Sequence, residues 1–265
     1  MKLMGVDVGF SATRPSTGIA CLDGDRLSVA CARTSWASRC AQIPEGFRPS
    51  IIALDGPLIS DGVAETAPRA CERIFVRAPF DRRCKLALSH WGSGLQLKRA
   101  ARNARVQFSR TLAGKWAKRL NRDGPIVEAF PNAFLAVLMP EETLIRAPRL
   151  ARGRRFDWLY DQLVTSGKLE ADLSADLELT GEIWNRLKIE THHDKRAALI
   201  CLLTAAFAAQ GTATMVGEAT GGWLCLPPWP RWQPWAVDGL ERAARAIAAQ
   251  GYPRLDDWDD RDWKD

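Results

Sequence analysis

The chain of 265 residues has no long apolar run, since no stretch approaches the roughly 18 apolar residues of a membrane-spanning helix. Its first residues, Met1 to Gly5, lead directly into a strand-like pattern, which predicts that no signal peptide is present. We therefore expect a protein without a membrane association.

Paired cysteines are also missing. The seven cysteines are scattered and form no C-x-x-C motif, which argues against a zinc knuckle and against a disulfide framework. Together with the missing signal peptide, this predicts a protein of the reducing cytoplasm. There is no internal repeat and no clear linker, so we expect a single domain over residues 1–265.

The charge is unevenly spread. The net charge is +6, and the stretch 69–122 is dense in arginine and lysine, opposed only by Glu72 and Asp81. Such a basic block suits a polyanion such as nucleic acid, although a solvated helix surface produces the same pattern. The acidic tail at 255–265 contains two tryptophans and could dock a protein partner or a second copy of the chain.

Short apolar runs separated by turns predict the strands. Residues 2–8, 17–22 and 27–32 are typical of antiparallel strands. Residues 51–54 are continuously apolar, as buried parallel strands are, and 126–130 predict a fifth strand. We therefore expect an α/β protein with a mixed sheet, three antiparallel strands followed by parallel ones, and helices on both faces.

The region at about 64–122 predicts a basic helical insertion into this sheet. A helix starting near Pro68 would place Arg69, Arg73 and Arg77 on one face, because they recur at every fourth position. A long basic helix is predicted at 97–120. Residues 141–155 predict a basic loop or lid, and 194–209 predict a helix that is apolar all round and hence buried.

Four carboxylates stand in apolar surroundings, namely Asp7, Asp55, Glu128 and Asp194. Burying a carboxylate costs several kcal/mol unless a partner compensates its charge. Carboxylates that converge at strand ends often hold a divalent cation. We therefore expect these four residues to form a metal site.

Each carboxylate also has an ordinary structural explanation. Asp7 and Asp55 would cap turns through the local backbone, and Glu128 would face solvent from an edge strand. Asp194 would be stabilised by the dipole of the helix that it begins.

The local motifs of the four carboxylates are a strand ending in Asp7, a strand ending in Asp55-x-Pro57, a strand with Glu128-x-x-Pro131, and His193-Asp194 at the head of an alanine-rich helix. This order resembles the family called domain of unknown function 429, whose members are predicted RNase H-like nucleases. The Arg-x-Cys-Glu-Arg run at 69–73 and the Trp-Leu-Cys-Leu-Pro run at 223–227 are similar to that family as well. Arg196 stands where the family typically has a second Asp.

The resemblance implies an RNase H-like fold and a nuclease that hydrolyses phosphodiester bonds with two Mg²⁺ or Mn²⁺ ions about 3.5–4 Å apart. Asp7 would bridge the two ions, and Asp55 and Asp194 would complete their ligand sets. Glu128 would be a further ligand or a base behind the metals.

The substrate would be held by basic side chains. Arg69, Arg73 and Arg77 would neutralise phosphate as bidentate donors, and His193 would contact phosphate or relay a proton. The basic helix at about 98–122, with Trp91 and Trp116, would follow a nucleic-acid backbone, although for Trp116 a place in the core is the preferred interpretation.

Two other functions remain open. The turn from Asp7 to Gly9 also fits the first phosphate loop of actin-like ATP-binding phosphotransferases. That fold needs a duplicated domain, and the sequence shows no convincing second glycine-rich loop. A non-catalytic module that binds nucleic acid or a protein partner is the third hypothesis.

Overall fold

The structure is a computed structural model that describes residues 1–11, 13–59, 68–84, 86–112, 124–150, 154–219 and 221–249. The predictions made for the acidic tail at 255–265, for Trp116 and for residues 113–120 of the helix expected at 97–120 lie outside the described residues. Within the described part, that helix begins earlier, at Gly92, and ends at Phe108, where a 3-10 turn, Ser109–Thr111, follows.

The centre of the fold is one mixed sheet. Its strands are β1 (Lys2–Asp7), β2 (Thr17–Asp23), β3 (Arg26–Ala32), β4 (Ile51–Asp55), β5 (Ile126–Ala129), β6 (Thr214–Glu218) and β7 (Gly222–Leu226). They lie in the order β3-β2-β1-β4-β5-β7-β6. The first three pair antiparallel, β1, β4, β5 and β7 run parallel, and β6 returns antiparallel to β7. This confirms the α/β class and the predicted change from antiparallel to parallel strands.

The helices are α1 (Trp36–Cys40), α2 (Ala70–Phe75), α3 (Phe80–Cys84), α4 (Gly92–Phe108), α5 (Pro131–Leu138), α6 (Glu141–Ile145), α7 (Arg154–Tyr160), α8 (Lys168–Leu173), α9 (Gly181–Ile189), α10 (His193–Gln210) and α11 (Pro234–Ala248). A π-helical turn, Asp161–Thr165, continues α7. Within the described ranges, none of these helices combines the length and apolarity needed to cross a membrane.

The helix predicted around the three arginines is shorter than expected. Arg69 is the N-cap of α2, and the helix ends at Phe75, before Arg77. The residue before a proline avoids the helical conformation, and Pro79 follows two residues after Arg77. The three arginines therefore do not share one helix face.

The predicted loop at 141–155 also needs correction. It contains α6, and α7 begins at Arg154. Pro140 precedes α6, and Glu141 and Glu142 occupy its first turn. Negative charge at this end of a helix interacts favourably with the helix dipole and stabilises the helix. The prediction of a loop relied on the arginines of the stretch and overlooked this signal for the start of a helix.

Helix α10 lies unusually close to the sheet, because glycines on β1 and β2 make room for it. A Cβ atom on Gly5 would overlap the backbone of Ala198 and Leu202, and a Cβ atom on Gly18 would overlap the carbonyl of Asp194. Glycine at such places permits a close approach of two backbones. The first turn of α10 therefore rests directly on the sheet.

Helices pack on both faces of the sheet. Leu3 of β1 faces the core that contains α10, while the alternate residues Met4 and Val6 belong to a second core with Ala101 and Phe108 of α4. This alternation follows from the two-residue period of a strand.

Candidate functional site

Four residues form a row across neighbouring strands beneath the start of α10. Asp55 of β4 is the register partner of Asp7 of β1, Asp7 is the partner of Gly18 of β2, and Gly18 is the partner of Cys31 of β3. Register partners carry their side chains on the same face of a sheet. Since Gly18 lies against the carbonyl of Asp194, the structure brings Asp7, Asp55 and Asp194 together.

The acidic residues of this row repel one another. Burial raises the pKa of Asp7 well above its usual value, and the charges of Asp55 and Asp194 raise this pKa further. Burial and the nearby Glu128 raise the pKa of Asp55 to about 7. No cationic side chain in the described part of the chain forms an ion pair with Asp7 or Asp55. A divalent cation with oxygen ligands would relieve this repulsion.

Asp7 and Asp55 line a cleft of about 1170 Å³. This volume exceeds the upper end of the range of about 300–1,000 Å³ that is typical of small-molecule pockets. The side chain of Trp91, which is 78% exposed, stands at the cleft. The basic residues among its lining are Arg82, Arg149, Arg155 and His193. The cleft thus combines an acidic floor with basic and aromatic walls.

His193 lies where the sequence predicted a substrate contact, on the wall of the cleft. Its Nδ1 atom is 3.1 Å from Oδ1 of Asp157, and its ring meets that of Phe156 edge-on with the centroids 5.3 Å apart. These two contacts orient the imidazole, and the side chain remains 47% exposed.

Glu128 is directed away from this row. Its register partner is Leu54, whereas that of Asp55 is Ala129, so Glu128 and Asp55 point to opposite faces of the sheet. Arg69 donates hydrogen bonds to both carboxylate oxygens of Glu128, at 2.7 and 2.8 Å. The N–H group of Leu58 donates a third, at 2.7 Å. Glu128 therefore already has a cationic partner within the chain.

Arg69 is part of this buried ion pair and does not face the cleft. Its side chain is 2% exposed, and its Nε atom donates to Glu72 at 2.9 Å. Arg73 donates to the carbonyl of Pro68 at 3.2 Å, and the carbonyl of Arg77 accepts the N–H of Asp81 at 3.0 Å. None of the three arginines belongs to the described lining of the cleft, so they do not form the wall around Asp7 and Asp55 that the sequence predicted.

The basic wall of the cleft comes from other residues. Arg149 and Arg155 lie in the stretch expected to form a basic lid, and Arg82 lies in α3. The sequence signal for Arg149 and Arg155 was the high arginine content of 146–155. No sequence motif predicted Arg82 as part of the site, because it lies at the cleft only through the packing of α3.

A second cluster adjoins the row, and the sequence did not indicate it. The Sγ atom of Cys31 lies 3.6 Å from Nδ1 of His192. The possible ligand atoms of Cys31, His192 and Asp194 all lie within 4.8 Å of one another. Burial, followed by the charge of Asp194, raises the pKa of Cys31 to about 11.

The fold and the site together define an α/β protein whose mixed sheet carries an acidic pair where two parallel strands end in a large cleft. The chain matches no protein-family model, no curated protein and no solved structure in the three comparisons. The resemblance to domain of unknown function 429 therefore rests on the sequence motifs alone.

Proposed function

We propose that the protein is a metal-dependent nuclease of RNase H-like fold, which holds Mg²⁺ or Mn²⁺ with Asp7, Asp55 and Asp194. The observation that carries the proposal is the pair formed by Asp7 and Asp55. They lie side by side at the ends of parallel strands, without a cationic partner in the described chain, and line a cleft with basic and aromatic walls.

The strand order supports the fold assignment. The order β3-β2-β1-β4-β5, with antiparallel pairing up to β1 and parallel pairing beyond it, agrees with the arrangement that the family resemblance implies. Asp7 ends β1, which is the position of the first acidic residue in that arrangement. Ligands of open α/β sheets bind beyond the carboxyl ends of the parallel strands, and Asp55 lies at such an end.

The donor set fits a hard divalent cation. Three carboxylates from three elements offer only oxygen atoms, which Mg²⁺ and Mn²⁺ prefer. When bound, the ions would activate a water molecule and neutralise charge that develops on the phosphate. Of the chain's own residues, Gly18 lets Asp194 approach the pair, since a side chain there would displace the first turn of α10.

In this proposal Glu128 positions the turn that carries Asp55. It accepts the N–H of Leu58, which follows Asp55 by three residues, and it is itself held by Arg69. These hydrogen bonds fix the turn that carries Asp55 at the cleft. Arg69 therefore acts on the site from behind, through Glu128, and does not contact the substrate.

The walls of the cleft suit a polyanion that carries bases. Arg82 and Arg149 are exposed, and neither forms an ion pair with another described residue, so both are available to phosphate. Trp91 presents an exposed ring on which a base could stack. His193, oriented by Asp157, offers a further contact to phosphate.

The actin-like alternative finds less support. The N–H of Gly9 donates to the carbonyl of Asp7 at 3.1 Å, so this turn does not present that donor to a phosphate. The strands within the described ranges also form one sheet, whereas the alternative needs two related halves.

The test of the proposal is the cleavage of labelled DNA and RNA, single- and double-stranded, in Mg²⁺, in Mn²⁺ and in EDTA. Replacement of a direct ligand should cost more than the roughly 10–100-fold seen for supporting residues, so Asp7→Asn should reduce metal-dependent cleavage more than about 100-fold. Asp25→Asn, which changes an exposed carboxylate of the β2–β3 turn, is the matched control and should keep full activity.

Each alternative has its own outcome in this experiment. Cleavage that survives Asp7→Asn would refute the nuclease site. Binding that persists in EDTA, with no turnover in any metal, would identify a non-catalytic binding module. Tight binding of ATP in calorimetry would favour the phosphotransferase.

The assignment of nucleic acid as the substrate has a separate test. Trp91→Ala should weaken single-stranded nucleic acid binding about tenfold, because a stacked base contributes on the order of 1–3 kcal/mol. Ile189→Ala removes another exposed apolar side chain, outside the described cleft lining, and should leave the affinity unchanged. Equal affinities of the two variants would exclude Trp91 as a stacking platform.

A further inference from the structure

Asp194 lies between two different groups of side chains. It rests over Gly18, and the register partners of Gly18 are Asp7 on one side and Cys31 on the other. Since neighbouring strands are 4.7–4.9 Å apart, Asp7 and Cys31 are roughly 10 Å from each other across the sheet. One carboxylate can thus serve the acidic pair or the cluster at Cys31.

The cluster at Cys31 already has the spacing of a metal site. With Zn–S near 2.3 Å and Zn–N near 2.0–2.1 Å, a tetrahedral ion places its sulfur and nitrogen ligands about 3.6 Å apart. Sγ of Cys31 and Nδ1 of His192 are 3.6 Å apart. The possible ligand atoms of these residues and of Asp194 all lie within 4.8 Å of one another.

The cluster is also open to solvent. His192 is exposed, and Cys31 and Asp194 are half-buried, so an ion can enter without rearrangement of the core. His192 is the N-cap of α10, and its side chain forms no capping hydrogen bond that an ion would have to break.

We propose that Cys31, His192 and Asp194 form a binding site for Zn²⁺ or a similarly thiophilic divalent ion, separate from the pair of Asp7 and Asp55. A thiolate and an imidazole favour zinc over magnesium, whereas an all-carboxylate set does the reverse. The ion would displace the proton of the Cys31 thiol, as zinc does with coordinating thiols. Its fourth position would be left to water.

A regulatory consequence follows, and it rests on the proposed nuclease function. An ion at Cys31 engages Asp194 and adds positive charge beside Asp7, so it opposes the binding of Mg²⁺ or Mn²⁺. Zinc should therefore inhibit metal-dependent cleavage by acting through Cys31.

The binding site itself is tested with Co²⁺ on the full, reduced, metal-free chain. Titration should produce a near-ultraviolet sulfur-to-cobalt charge-transfer absorption, which Co²⁺ at the all-oxygen site of Asp7 and Asp55 does not give. This absorption should disappear in Cys31→Ser, and the affinity should fall at least tenfold in His192→Gln. Cys40→Ser, which changes another accessible cysteine, should behave as the wild type. Absence of the absorption, or its loss in Cys40→Ser alone, would overturn the proposal.

The regulatory part is tested by zinc inhibition of Mn²⁺-dependent cleavage. The concentration of zinc that halves the rate should rise at least tenfold in Cys31→Ser and stay unchanged in Cys40→Ser. Equal inhibition of both variants would overturn the regulatory role. A chain that shows the cobalt absorption and cleaves nothing in any metal would refute the nuclease proposal and leave the zinc site standing.

Discussion

Two groups of carboxylates have opposite surroundings. Glu128 of β5 and Glu72 of α2 are buried, whereas Asp7 of β1 and Asp55 of β4 are half-buried and line the cleft. Glu128 and Glu72 share the guanidinium of Arg69, which is itself almost fully buried. Among the described residues, Asp7 and Asp55 form no ion pair with a cation, and the neighbouring charges of Asp55 and Asp194 contribute to the raised pKa of Asp7. The chain compensates the first group internally, whereas no described side chain supplies a cation to the second.

This difference in charge compensation separates structural carboxylates from candidate functional ones. A buried carboxylate whose oxygens are all held by donors of the chain supports the structure. A group of carboxylates left to repel one another costs stability, and such groups concentrate at functional sites. By this criterion Glu128 belongs to the framework, and Asp7 and Asp55 belong to the site.

The largest expected effect on stability comes from removing Arg69, the cation that compensates Glu128 and Glu72. Arg69→Leu leaves Glu128 and Glu72 buried without a cation, and the free energy of unfolding should fall by about 3–5 kcal/mol in urea titrations at neutral pH. Arg231→Leu, which breaks an exposed ion pair with Asp176, should cost less than about 1 kcal/mol. Similar losses in the two variants would remove the contrast between the groups.

Supplying the missing cation should have a smaller effect of opposite sign. At a Mn²⁺ concentration about 100 times its Kd, the free energy of unfolding should rise by about 2.7 kcal/mol relative to EDTA. Asp7→Asn should abolish this rise, and Arg231→Leu should keep it. A rise that persists in Asp7→Asn would place the cation elsewhere on the chain.

The uncompensated group should also make the stability of the metal-free protein depend on pH. The pKa of Asp55 is raised from 3.8 to about 7 in the folded state, so its contribution to stability is lost as the pH rises through about 7. Asp55→Asn removes this cost and should stabilise the metal-free protein by up to about 4 kcal/mol at pH above 7.

The control for this prediction is the same pair of proteins in EDTA at acidic pH. Below the unfolded pKa of 3.8 the carboxyl is protonated in both states, so the difference between Asp55→Asn and the wild type should shrink towards zero as the pH falls. A difference that does not change with pH would show that Asp55 carries no electrostatic cost.

Much of the sheet was predictable from local sequence. The bounds of β1 to β5 and of α10 differ from the predicted ones by one residue at one or both ends. Short apolar runs between turn residues identify buried strands, and the apolar helix at α10 can only be buried. The basic stretches were harder, because basic surface residues say little about where a helix begins or ends. For that reason α2 in the insertion and α6 in the stretch 141–155 were misjudged.

The site was predictable in part. Asp7, Asp55 and Asp194 were named from their positions at strand ends and at a helix start, and the structure brings them together. Glu128 has the same kind of sequence surroundings, yet its place one register step earlier on β5 turns it to the other face, where Arg69 binds it. The cluster of Cys31 and His192 joins residues 161 positions apart, which no local pattern reveals.

Local sequence was enough to predict the α/β class and the change from antiparallel to parallel strands. It was also enough to identify the three acidic residues that end or begin buried elements. Local apolar periodicity decides these features, because burial follows the two-residue period of a strand and the all-round apolarity of α10. Which carboxylates have a cationic partner became clear from the tertiary structure. Strand register and the close approach of α10 over Gly18 set which charges meet, and both depend on contacts between residues far apart in the chain.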